Sequence, residues 1–226
     1  MNKRLLQNQV NTLSQRPPFK RGERRGIGPR RPSKDIRGPP PQKSSRKYED
    51  YAIVLDYIPK GIRIGQKENI AQAIGETWFT LLELIPNKGY ELEPFQRVGI
   101  GKNTRKEIKQ IKGRIGIDEL TKTATDNLRK AIEIIVKNNE RRFVEFLNKA
   151  QPITTRMHSI ELIPGIGKKT MLKIVKERQK VPFTSFEDLE ERTGLHEPEK
   201  MFVERIMKEL EGNEKYHLFT RPKTQR

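Results

Sequence analysis

The residues best suited to chemistry in this 226-residue chain lie in one short run, Pro164-Gly165-Ile166-Gly167-Lys168-Lys169-Thr170. Pro164 stops any helix that precedes it. Glycine at 165 and 167 permits positive φ and close backbone approach, and Ile166 between them plugs the corner into a core. The next residues place Met171, Ile174 and Val175 on one helical face. The amides of Gly165, Gly167 and Lys168 then face outward at the positive end of that helix, where a phosphate oxygen fits without any contact to a base. Lys168 and Lys169 add mobile charge, and Lys173, four residues beyond Lys169, falls on the same face. The competing use of such a corner is packing or protein contact.

Other chemistries are poorly served. There is no cysteine, hence no disulfide framework, thiolate metal site, iron–sulfur cluster or thiol nucleophile. The three histidines, His158, His196 and His217, are far apart and lack any metal-ligand spacing. The phosphate-loop pattern GxxxxGK[ST] is absent, and Glu140-Arg141-Arg142 reads as a solvated helix face. No enzyme and no cofactor is indicated.

The charge supports a polyanionic partner. The chain carries 47 Lys+Arg against 29 Asp+Glu, a formal charge of +18, with 33% hydrophobic residues and a mean hydropathy of −0.84. Residues 1–47 hold 14 of the cations, only two acids and seven of the 15 prolines. Such a segment has too few apolar side chains to offset ordering costs of roughly 1–2 kcal/mol per residue and is expected to be disordered alone. Its candidate contacts are Arg16, Lys20, Arg21, Arg24, Arg25, Arg30, Arg31 and Arg37, because guanidinium planes pair with phosphate and stack on bases. A solubilising tail or a tether to an acidic protein is the alternative. Leu6, Val10 and Leu13 form a short helical stripe at its start. No window has the apolar length of a membrane span, and the N-terminus lacks the apolar stretch of a secretory signal.

The elements that must position the corner divide the chain into an arm (1–47), a β unit (48–117), connecting helices (118–150), a helical unit (151–212) and a basic tail (213–226). In the β unit, AIVLDYI at 52–58, WFTLLELI at 78–85 and RVGIG at 97–101 read as strands separated by Gly, Pro and Asn turns. About 70 residues with some five short strands suit a closed or nearly closed barrel of the OB type. Trp78 and Phe79 must then point to opposite faces, leaving one to stack on bases or to be covered by the helices. Lys60, Arg63, Lys67, Lys102, Arg105 and Lys106 are placed as a basic rim. Leu128, Ile132 and Val136, then Phe143, Phe146 and Leu147, give two helices broken at Asn138-Asn139.

The run HSIELI-PGIG-KKT, continuing to Arg178 and to PFTSFEDL at 182–189, closely resembles the helix-hairpin-helix motif. That resemblance implies an apolar helix over HSIELI and a phosphate contact at the hairpin. A second hairpin follows. Ser185 opens a helix that Gly194 breaks, and Pro198 starts another with Phe202, Ile206 and Leu210 in line. Its connector, Gly194 to Glu199, is acidic and lacks the GxG. The glycosylase branch of the motif uses an Asp after the hairpin's second helix, whereas here that segment is Pro182-Phe183-Thr184.

Taken together, YAIVLDYIPKG, AQAIGETWFTLLELIPNKG, VEFLNKAQPITTRMHSIELIPGIGKKT and PFTSFEDLEERTG resemble an uncharacterised archaeal family described as nucleic-acid-binding proteins, over about residues 48–221. The resemblance implies an α+β chain, an OB-like barrel followed by tandem helix-hairpin-helix, in a cytoplasmic protein. The expected function is RNA binding, in association with rRNA as a ribosomal or assembly component alongside ribosomal proteins and away from membranes. A DNA-binding accessory of repair or replication is the alternative.

Overall fold

Along Tyr51–Ile58 (β1), Ile53 and Leu55 point to one face and Ala52 and Val54 to the other, and all four are buried. A strand apolar on both sides belongs inside a sheet covered twice. The computed structural model, which describes residues 48–60, 65 and 67–221, places it there. With Ile70–Gly75 (β2), Leu81–Pro86 (β3), Arg97–Gly99 (β4) and Ile108–Arg114 (β5) it forms a curled antiparallel sheet in the order β4-β1-β2-β3-β5. One face gathers Ala52, Val54, Ala73, Leu84, Val98, Ile108 and the loop residue Leu92. The other face, with Ile53, Leu55, Ile74 and Leu81, joins the helical core.

The sheet stops at half a barrel, with β4 and β5 as its edges. β4 is only three residues long, not the five expected over 97–101. A Cβ on Gly99 would lie 1.9 Å from the Thr104 carbonyl oxygen, so the chain crosses directly against the strand and ends it. Strand β3 also starts later than expected. Trp78 and Phe79 belong to the β2–β3 turn, where the buried Glu49 carboxylate accepts from the amides of Thr77 and Trp78, both at 2.8 Å. Strand alternation therefore does not govern these two residues. Phe79 takes φ 52° and is wholly buried in the helical core. Trp78 is half-buried, with the Arg221 guanidinium 4.0 Å from its ring centroid.

Lys122–Asn138 (α1) and Glu140–Lys149 (α2) match the predicted pair, broken at Asn139. Thr121 caps α1 by accepting from the Ala124 amide at 3.0 Å. The register of β1 slips between Val54 and Asp56, and the Leu55 carbonyl there accepts from Asn127 Nδ2 at 2.9 Å. Gln72, fully buried in β2, accepts from Thr121 N (2.8 Å) and donates to Glu119 O (3.0 Å), so α1 is fixed to the sheet at its first turn.

Glu140-Arg141-Arg142 is not a solvated face. Arg141 is exposed, but Glu140 accepts from the Phe186 amide. Arg142 lies half-buried, 5.6 Å from the ring centroids of both Phe79 and Phe143, and donates to Glu76 O at 3.2 Å. Burial lowers the Arg142 pKa, and the nearby Glu49 charge works against that shift.

The helical unit begins with a ribbon, Pro152–Thr154 (β6) paired with Met157–His158 (β7), which the sequence reading did not anticipate. The apolar helix expected over HSIELI is a single 3-10 turn, Ser159–Leu162. The ribbon holds His158 extended and Pro164 forces Ile163 to φ −79°, ψ 121°, so only one turn fits between them. Lys168–Lys180 (α3), Phe186–Thr193 (α4) and Pro198–Leu210 (α5) follow where the spacing put them.

Phe202 lies at the centre of the core, with the rings of Phe143, Phe219 and Phe186 at 5.0, 5.6 and 5.7 Å. Each such pair adds about 0.5–1.5 kcal/mol to the gain from burial. Phe219 and Thr220 are buried, so the stretch expected as a tail is packed as far as Arg221. The arm, with its Leu6, Val10 and Leu13, and Arg63 lie outside the described residues. Among the described residues no helix is long and apolar enough to cross a membrane.

Candidate nucleic-acid interface

The glycine corner is built from beneath by α5. Gly165 takes φ 86°, which favours glycine, and a Cβ there would also lie 3.1 Å from Met201 Cε. Ile166 is 5% exposed and anchors the turn in the main core, and its amide donates to Ile163 O at 3.1 Å. One turn along α5 from Met201, the buried Arg205 donates through Nη1 to Leu162 O at 3.1 Å, fixing the backbone that enters the corner. Gly167 is not in the positive-φ region. It is the extended N-cap of α3, at φ −85° and ψ 176°, and a Cβ on it would meet nothing within 4 Å.

Gly165, Gly167, Lys168 and Lys169 are all exposed. Gly167 has no side chain to cap α3, and the first amide of this helix to find a partner is that of Met171, on Gly167 O at 2.9 Å. Among the described residues the amides of Gly167, Lys168, Lys169 and Thr170 have no acceptor. They are four donors in a row at the positive end of a 13-residue helix.

The lysines divide. Lys168 and Lys169 border the corner, whereas Lys173 Nζ lies 4.0 Å from where a Cβ on Gly194 would be, at the C-terminal end of α4. Lys173 therefore lies beside the negative end of a neighbouring helix. In its place α5 supplies a cation that the sequence reading missed. Lys208 lines a cleft of about 510 Å³ together with Gly165, Gly167 and Arg205. The signal was the spacing of Met201, Arg205 and Lys208 at i, i+4 and i+7, one stripe of α5.

The basic residues of the β unit do not converge on one rim. Arg105 Nε is held on Ile100 O at 2.8 Å, beside Asp50 and before β1, and Lys102 is in the same loop. Lys60 follows the other end of β1, with its amide on Asn69 Oδ1 at 2.9 Å. At about 3.3 Å per residue, the length of β1 puts roughly 25 Å between these positions. Lys67 and Lys106 are exposed, and the Lys106 carbonyl is occupied by Asn87 Nδ2 at 2.7 Å.

His158 couples the corner to pH. It is 7% exposed, and its Nδ1 accepts from the Ile160 amide at 3.2 Å, so the ring must be neutral there to cap the 3-10 turn. Burial, and then the Arg178 charge, lower its pKa below the ordinary value, with Glu161 partly opposing them. The stabilisation is thus complete above the unfolded pKa near 6.5 and is lost as pH falls towards the folded one. The unfolding midpoint is expected to drop between pH 7 and pH 5, and by less in His158→Asn, which can cap without titrating. Equal drops in thermal melts of the two proteins would show that His158 does not control this response.

The molecule is thus a mixed α+β protein in which a half-barrel sheet supports helices that present a donor-rich glycine corner. The chain belongs to the family described as protein of unknown function (DUF655), whose model matches residues 48–221. It is 42% identical over 184 residues to the uncharacterized protein MJ0038 of Methanocaldococcus jannaschii, a match covering 80% of this chain and 84% of that protein. The crystal structure of Af1531 from Archaeoglobus fulgidus, 45% identical, covers 76% of this chain and the whole of that one, with a TM-score of 0.69. Both relatives are archaeal.

Proposed function

We propose that this protein binds RNA, as an rRNA-associated component of the ribosome or of its assembly in the cytoplasm, and that it grips phosphate backbone without reading base sequence. The observation that carries this reading is the row of amides from Gly167 to Thr170 without acceptors, bordered by exposed Lys168, Lys169 and Lys208. An anion at that corner gains both hydrogen bonds and the helix field. In this reading the segment from the 3-10 turn through α3 acts as a helix-hairpin-helix with its first helix cut to one turn, and the sheet is an OB-like scaffold. The arginine-rich residues 1–47 supply further contacts to structured RNA. The role is binding rather than catalysis, and ribosomal proteins are the neighbours it implies.

Competition at physiological salt between a structured rRNA fragment and duplex DNA of equal length tests the choice of nucleic acid. The RNA is expected to win, and a DNA preference would replace this reading with a DNA-binding accessory role in repair or replication. Deleting residues 1–47 is expected to flatten the salt dependence by about 0.7–0.9 in log K per log salt for each phosphate released. An unchanged slope would remove the arm from the interface.

A further inference from the structure

Exposed apolar side chains matter when they gather. Of the five large hydrophobic residues that are exposed among the described residues, two, Met157 at 37% and Leu172 at 62%, line a single groove between the β6–β7 ribbon and α3. The groove holds about 440 Å³, within the range of ligand sites. Lys168, Met171 and Leu172 form one side at i, i+3 and i+4 spacing, and Arg156 and Met157 form the other.

The groove is also cationic. Arg156 and Lys168 are exposed and have no ion pair among the described residues. Glu161, the acid in the lining, already accepts from the His158 amide at 2.7 Å. Lys168 belongs to two places at once, since its backbone is the first turn of the donor-rich corner and the residue also lines the groove. Leu172 is one helical turn further on, about 5–6 Å between Cβ atoms. A phosphate at the corner would therefore have its own nucleotide's base beside Leu172 and Met157.

We propose that this groove receives an unstacked base of single-stranded or bulged RNA whose phosphate sits at the Gly167–Thr170 amides. The base presents a flat, polarizable face to a thioether and a branched alkyl group, contacts that favour aromatic rings, and Arg156 offers a planar cation to the same ring. A base in a continuous duplex exposes only its edges and cannot enter. The corner then supplies grip and the groove supplies preference for interrupted helices. This inference rests on the RNA reading above.

The test uses the full chain and two RNA stems of the same sequence, one with a single bulged nucleotide, titrated by fluorescence anisotropy. The wild type is expected to bind the bulged stem about tenfold tighter, the effect of one stacked base. Met157→Ala combined with Leu172→Ala should abolish that preference and leave affinity for the plain stem within about twofold, both side chains being exposed. Equal wild-type affinity for the two stems, or a preference that survives the double substitution, overturns the groove while leaving the corner standing. Failure to bind either stem overturns the RNA reading itself.

Discussion

Replacing Glu209 by alanine is expected to destabilise the protein by about 3–5 kcal/mol, the usual consequence of removing one partner of a buried ion pair. Glu209 and Arg205 are each 2% exposed and are joined at 2.9 Å. The carboxylate also accepts from the amides of Leu218 (2.7 Å), Phe219 (3.0 Å) and Thr220 (2.8 Å), and from the Thr220 hydroxyl at 3.0 Å. Truncation leaves the buried guanidinium with the carboxylate of Glu214 alone, at 2.9 Å, and several donors unsatisfied in one step. For a folded part of this size the midpoint should fall by about 6–20 °C, at about 2–4 °C per kcal/mol. Chemical unfolding followed by circular dichroism measures the loss, and a change below about 1 kcal/mol would show that water replaces the carboxylate without penalty. Glu209→Gln keeps the shape but turns its amide group towards donors, so it should fall between alanine and wild type.

That pair also shows what the sequence could and could not disclose. Phe202, Ile206 and Leu210 were legible on α5 because helical spacing is a local property. Arg205 and Glu209, at i and i+4, look like an ordinary surface pair. Their burial depends on Leu162, Glu214 and the chain from Tyr216 to Thr220, all brought in by tertiary folding. Glu49 and Gln72 are similar cases, polar side chains buried because distant backbone groups need them. Helices α1 to α5 and the glycine corner followed from periodicity and turn residues. The placement of Trp78 and Phe79 did not, because an apolar run does not reveal where a turn ends and a strand begins. The 3-10 turn before Pro164 was hidden for a related reason: six apolar-rich residues look helical until the ribbon on their N-terminal side takes the first of them.

The hairpin is best tested at Gly167 rather than Gly165. A side chain at Gly165 meets a positive φ and the Met201 methyl, so a loss of binding there could come from a disturbed fold. At Gly167 the backbone is extended and a Cβ points into open space. Gly167→Val should therefore cost only about 1 kcal/mol, from the poorer N-cap, and leave the fold intact. Its branched side chain would instead stand where an anion approaches the Lys168 and Lys169 amides. A hydrogen bond to a charged group contributes about 1.5–3 kcal/mol, so loss of one such bond predicts RNA affinity lower by about 10- to 100-fold at fixed salt. Lys208→Ala, which removes only a flexible cation from the cleft, should cost less and reduce the salt slope by about one phosphate. Anisotropy titrations with one rRNA fragment, paired with thermal melts, separate binding from folding. If Gly167→Val stays folded and binds RNA as tightly as wild type, the unsatisfied amides hold no phosphate and the corner serves only to join the 3-10 turn to α3.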